Sequence, residues 1–160
     1  WKRMDLTVDS GAARSVGNGE DFPMIPLEES EESKMGQIFV GPGKERIPNR
    51  GQKHYRGKTK GSGILTNICL QDAPVRKPLA AVSGITSKDN IVLFDKKGSF
   101  IAPANNPEVE EIRRLIKKVK QRIELEESKG VYLMPFWVQV GEDEENRDAQ
   151  ASSVFTRQGK

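Results

Sequence analysis

Met4-Asp5-Leu6-Thr7-Val8-Asp9-Ser10-Gly11-Ala12 is the one stretch of the chain in which a strand pattern runs directly into a chemically pointed turn. Leu6 and Val8 alternate with Asp5 and Thr7, the period-two pattern of a short half-buried strand. Gly11 supplies a permissive backbone beside Asp9, so the chain can bend sharply and leave a carboxylate at the tip of the strand. No other aspartate repeats the arrangement: Asp72, Asp89, Asp95, Asp143 and Asp148 lack the following Ser/Thr-Gly.

Outward from that turn, short apolar runs recur without helices between them. Gln37-Ile38-Phe39-Val40, Gly41-Pro42-Gly43-Lys44-Glu45 and Arg46-Ile47-Pro48-Asn49 read as strand, glycine-rich turn and strand. Glycines at a hairpin tip suit a mobile flap over a cleft, and they suit an ordinary surface hairpin equally. Ile64–Leu70, Leu79–Val82, Ile91–Phe94 and Ser99–Ile101 are further strands, the last two joined by a Lys96-Lys97-Gly98 turn. The pattern predicts a mainly β protein, with residues 1–104 as one closed antiparallel β domain, a barrel or a sandwich.

Composition bounds what such a domain can do. With 160 residues, 31% charged and 35% apolar, the chain has room for one modest domain with a small core. A net charge of +3 permits an acidic partner without demanding one. Cys69 is the lone cysteine and His54 the lone histidine, which leaves no intrachain disulfide and no recognisable zinc site. Cys69, set among Ile64, Ile68 and Leu70, reads as a buried structural thiol, and a reducing intracellular location, cytoplasmic or nuclear, is expected. No apolar run approaches the roughly 20 residues that cross a bilayer, so no membrane partner is expected, and neither a metal nor another cofactor. Trp1 rather than Met stands first, so a fragment or a processed piece of something longer is expected.

Other segments carry weaker chemistry. Glu28–Glu32 reads as a solvated acidic loop. Residues 44–60 concentrate cations around one ring, Tyr55, a composition that would give weak nucleic-acid contact and that a solvated strand and loop would also show. Asn106 caps a predicted helix with Pro107 in its first position, and Val109, Ile112, Ile116, Val119 and Ile123 carry the apolar seam on to about Ser128, with Gly130 as the stop. Val131–Val138 reads as a docking terminal strand, and residues 139–160 as a disordered tail or linker.

The Asp9-Ser10-Gly11-Ala12 turn resembles the active-site signature of the retropepsin-like aspartic proteases. Taken in order with Gly41-Pro42-Gly43, Pro78-Leu79-Ala80-Ala81-Val82-Ser83, Ile91-Val92-Leu93-Phe94 and Gly130-Val131-Tyr132-Leu133, it resembles the protease segment of copia-type long-terminal-repeat retrotransposon polyproteins over residues 4–138. The resemblance implies an aspartic endopeptidase that hydrolyses a polypeptide substrate, with Asp9 catalytic and Ser10, Gly11 and Ala12 as its active-site turn. It implies a closed antiparallel β barrel over residues 1–104, with Val40, Gly41, Pro42 and Gly43 as flap, and residues 105–138 as the helix and strand before an integrase. Each active site of that family uses two aspartates that share a proton; one motif per chain implies a homodimer acting at mildly acidic pH. Retropepsins also place a short apolar-apolar-Gly motif behind the catalytic turn, and Ala80–Gly84 offers one with the glycine displaced by a residue. An inactive retroelement relic, and a basic nucleic-acid or protein interaction module, are the competing readings.

Overall fold

The computed structural model describes residues 1–141 of the chain. In chain order the strands are β1 (Thr7–Asp9), β2 (Val16–Gly17), β3 (Ile38–Val40), β4 (Arg46–Pro48), β5 (Gly51–Lys58), β6 (Leu65–Asp72), β7 (Leu79–Ala81), β8 (Asn90–Leu93), β9 (Phe100–Pro103), β10 (Glu126–Ser128) and β11 (Val131–Leu133). The helices are α1 (Glu31–Lys34), α2 (Val82–Thr86) and α3 (Pro107–Ile116). The protein is mainly β, as the strand patterns predicted.

The closed antiparallel barrel is not formed. Five strands make one open mixed sheet in the order β1-β7-β2-β6-β5, which leaves β1 and β5 as its edges. Pairing is parallel for β1 with β7 and for β2 with β6, and antiparallel for β7 with β2 and for β6 with β5. Closure needs long, evenly tilted strands. Here β1 and β7 have three residues and β2 two, against eight in β5 and β6. The remaining strands form separate two-stranded ribbons, β3–β4, β8–β9 and β10–β11.

β7 is inserted between β1 and β2, although those two strands are consecutive in the chain. The segment joining them, which carries Ser10 to Ser15, must therefore arch over the end of β7. Leu70, Ala81, Val82, Val16 and Ala73 are buried around this crossing and form the small core expected from the composition. Ser15 Oγ accepts the Ala81 N–H at 3.0 Å, tying the arch to the inserted strand.

Two stretches read as solvated, one as a loop and one as a strand and loop, are ordered more tightly. The acidic run leads into α1, which begins at Glu31 and is capped by a buried Ser30 in a reciprocal box with Ser33. The basic stretch contains β5, whose alternation places Gly51, Lys53 and Tyr55 inward and His54, Arg56 and Lys58 outward.

The long helix is corrected as well: α3 ends at Ile116, not near Ser128. Only Val109 of the predicted seam is buried, and Ile112, Ile116, Val119 and Ile123 stay half exposed. Helices draw most of their stability from packing one face, and past its first turn this face stays largely uncovered among the described residues. Arg122 Nη1 donates to Lys117 O at 2.9 Å and to Val119 O at 3.2 Å, satisfying carbonyls that a longer helix would have used. The terminal strand is also shorter than expected. It covers Val131–Leu133 and pairs with β10, while Phe136, Trp137 and Val138 stay exposed. Of the predicted tail, residues 142–160 lie outside the described residues.

Candidate active site

Asp9 is the last residue of β1 and lies in register with Ala81 of β7. The parallel pairing is anchored upstream by Thr7 N–H donating to Pro78 O at 2.9 Å. Beyond Asp9 the chain leaves the sheet, and the Gly11 N–H donates to Asp9 Oδ1 at 2.8 Å. One carboxylate oxygen thus fixes the turn, while Oδ2 takes no hydrogen bond among the described residues. Asp9 is half buried, and Ser10 and Gly11 are exposed beside it. A carboxylate held by one oxygen and open at the other can bind a water or a second carboxylate there.

The C-terminal hairpin braces the same turn from another side. The Tyr132 N–H donates to Ser10 O at 3.1 Å. Its hydroxyl and that of Thr86 in α2 share a 2.6 Å hydrogen bond. Lys129 (φ 50°) and Gly130 (φ 81°) make the two-residue turn between β10 and β11, the pair of positive φ values that a tight hairpin of this hand requires. A Cβ on Gly130 would stand 3.2 Å from Cα and O of Ala13, so the hairpin tip lies directly on the Asp9 arch. The residues quoted for the resemblance at Asp9–Ala12, Leu79–Ala81 and Gly130–Leu133 therefore converge on one place.

The flap residues sit elsewhere in the architecture. Val40, Gly41, Pro42 and Gly43 occupy the end of β3 and the tip of the β3–β4 ribbon, whose register pairs Val40 with Arg46. The tip is closed by Gly41 N–H to Glu45 O at 3.0 Å and Lys44 N–H to Gly41 O at 2.9 Å. Among the described residues no hydrogen bond joins this tip to Ser10, Gly11 or Ala12. Its base is fastened by a buried polar network: Ser30 Oγ donates to Gln71 Oε1 at 2.7 Å, and Asn49 Nδ2 donates to the same oxygen at 2.9 Å.

Sequence reasoning missed Asp72, which is buried at the end of β6. Its Oδ1 accepts the Gly19 N–H at 2.5 Å and Arg50 Nη2 at 3.3 Å. Arg50 Nε stands 3.0 Å from Oδ2, an ion-pair distance, although its N–H does not line up for a hydrogen bond. Asp72 is thereby spent on structure, holding the loop after β2 to the sheet. A buried carboxylate without the Ser/Thr-Gly turn carried no signal in the sequence that separated it from a surface one.

Burial also changes the basic segment. Lys53 is buried, and its ammonium donates to Gly19 O at 2.8 Å and Phe22 O at 3.1 Å. Tyr55 is buried edge-on against Phe22, with ring centroids 5.5 Å apart. Burial, followed by the charges of Asp72 and Asp21, raises the Tyr55 phenol above its ordinary value. The one ring of the segment is therefore core, and only the outward cations face solvent.

Cys69 and His54 are cross-strand neighbours, with Sγ 3.9 Å from Nε2 and Glu28 Oε2 3.4 Å from the same nitrogen. Cys69 is half buried rather than buried. Desolvation raises its thiol most; Glu28 and Glu32 add to the rise and Lys88 opposes it. Such a thiol stays protonated and is a poor nucleophile. Among the described residues no three His, Cys, Asp or Glu side chains are placed to share a metal ion, and no helix is long and apolar enough to cross a membrane. No family model, curated protein or solved structure matches the chain.

Proposed function

We propose that the chain is one half of a retropepsin-like aspartic endopeptidase of a copia-type retrotransposon polyprotein, assembled as a homodimer with one Asp9 from each copy. The observation that carries this reading is the state of Asp9: one oxygen locked to Gly11 N–H, the other open, on a turn braced by β7 and β11.

In the dimer a water lies between the two carboxylates. The ionised Asp9 takes its proton as the oxygen attacks the scissile carbonyl, and the protonated Asp9 of the other copy donates to the carbonyl oxygen. The carboxyl that took the water's proton then passes it to the amine as the C–N bond breaks, while a hydroxyl of the tetrahedral diol returns its proton to the other carboxylate, so the dyad again holds one shared proton. In this reading Ser10, exposed beside Asp9, hydrogen-bonds across the two-fold axis, and the β3–β4 tip swings in to cover the substrate peptide.

The test is hydrolysis of a polyprotein-like peptide by the wild-type chain and by Asp9→Asn, with sedimentation of both. Cleavage should fall by about 10²–10⁴ in the variant while the dimer persists. A dimer that never cleaves favours the relic reading. A wild-type chain that is monomeric at micromolar concentration and inactive defeats the proposal.

A further inference from the structure

Pairing along the outer edge of β5 stops after one residue. Glu28 and Gln52 form an isolated antiparallel bridge, with Glu28 N–H donating to Gln52 O at 2.9 Å and Gln52 N–H to Glu28 O at 2.8 Å. Followed back along the chain, that bridge brings Pro26 level with His54. Proline has no N–H to offer a ladder, so the chain's own segment cannot extend the pairing. In an antiparallel strand, alternate residues turn their N–H and C=O to the same side. Lys53, Tyr55 and Gly57 turn theirs to β6, and His54, Arg56 and Lys58 turn theirs to the outer edge, as Gln52 does. Among the described residues none of those three outer positions takes a backbone hydrogen bond at that edge.

The side chains beside that edge select what can pair with it. His54, Arg56 and Lys58 project from the solvent face of β5. Arg56 and Lys58 have no ion-pair partner among the described residues, and Lys58 Nζ lies 4.6 Å from the centroid of the Trp1 ring. A second copy of β5 laid antiparallel on the first would set these cations against one another, and like charges directly opposite destabilise a strand pair. A strand with carboxylates at alternate positions meets them with opposite charge instead. Its intervening side chains fall on the other face, where a Cβ on Gly57 would meet nothing within 4 Å.

We infer that the outer edge of β5 is a strand-addition site for an extended acidic polypeptide. The incoming segment runs antiparallel, as the Glu28 bridge does, its main chain bonding to His54, Arg56 and Lys58 and its alternate carboxylates facing Arg56 and Lys58. Backbone bonds hold the segment, and charge selects it. β5 is the opposite edge of the sheet from β1, so this site is separate from the Asp9 turn.

Amide hydrogen exchange in the full ¹⁵N-labelled chain tests this, the probe being an alternating Glu-Thr peptide as long as β5. With saturating peptide, exchange of the His54, Arg56 and Lys58 amides should slow by at least about 5-fold, while the Lys53, Tyr55 and Gly57 amides, already paired with β6, change little. N-methylation at the peptide's glutamates, whose N–H groups point to β5 in this register, should abolish the slowing. N-methylation at its threonines should preserve it. Arg56→Glu with Lys58→Glu should weaken binding of the Glu-Thr peptide by at least about 10-fold and make an alternating Lys-Thr peptide the better ligand. Both positions are exposed, and unchanged exchange at Tyr55 and Leu70 reports that the variant is folded. No slowing up to about 1 mM peptide, slowing preserved when the glutamates are N-methylated, or equal binding by the charge-reversed chain would each overturn the site. None of these outcomes depends on whether the chain cleaves peptides.

Discussion

Gly130→Ala tests whether the C-terminal hairpin is part of the Asp9 site or merely near it. Gly130 has φ 81°, and its missing Cβ would stand 3.2 Å from Cα and O of Ala13 and 3.4 Å from Cβ of Ala13. An alanine in that left-handed conformation costs about 1–2 kcal/mol. The crowding against Ala13 must then be relieved by lifting the hairpin off the arch, which stretches the 3.1 Å bond from Tyr132 N–H to Ser10 O and loses much of the 0.5–1.5 kcal/mol, approximately, that such a bond is worth. Together the substitution should destabilise the protein by about 2 kcal/mol, read as a lower midpoint in urea denaturation with an unchanged slope. Gly57→Ala is the control, because its Cβ would meet nothing within 4 Å, and it should change stability by no more than about 0.5 kcal/mol. A Gly130→Ala loss below about 0.5 kcal/mol, or a loss matched by Gly57→Ala, would refute the claim that the hairpin bears on the arch.

Asp72→Ala leaves Arg50 without its partner and the Gly19 N–H unpaired; because Arg50 is partly exposed, the loss should be about 2–3 kcal/mol rather than the full penalty of a buried charge, measured in the same denaturation experiment. Asn106→Ala removes the acceptor for the Glu108 N–H at 3.0 Å and should cost about 1 kcal/mol, seen as helical signal lost ahead of global unfolding. The folded Cys69 thiol titrates above its ordinary value of 9.0, so its contribution to stability is intact below that pH and is lost as pH rises through the folded value. Stability should therefore decline with pH above 9.0, Cys69→Ser should remove that part of the decline, and a wild-type curve that rises in this range would contradict the raised thiol.

What the sequence made legible was local chemistry. β1 and its turn, the β3–β4 ribbon, the β8–β9 ribbon and the start of α3 were each readable because alternation, glycine and a capping Asn-Pro act within a few residues. β5 was read as loose because Lys53, an inward position, carries the same charge as its outward neighbours and so hides the alternation. Its partner carbonyls, Gly19 and Phe22, are more than thirty residues away and leave no local trace. The end of α3 failed for the opposite reason: the seam through Val119 and Ile123 is regular, but a seam is only as helical as the surface available to bury it. Insertion of β7 between β1 and β2 was the least legible feature, since two-residue and three-residue strands say nothing about which distant strand they accept.

That insertion explains why the candidate site converges although its residues are scattered. Because β7 separates β1 from β2, the connection bearing Ser10 to Ser15 cannot collapse into a tight hairpin and has to stand as an arch. An arch of exposed polar backbone is costly unless its groups find partners. Here Ser15 Oγ takes the Ala81 N–H, Asp9 Oδ1 takes the Gly11 N–H, and Ser10 O takes the Tyr132 N–H. Each bond constrains the turn from a different element, and none of them uses Asp9 Oδ2. The topology that exposes the turn is therefore also what recruits β7 and β11 to hold it, and Asp9 Oδ2 is the carboxylate oxygen left without a hydrogen-bond partner among the described residues.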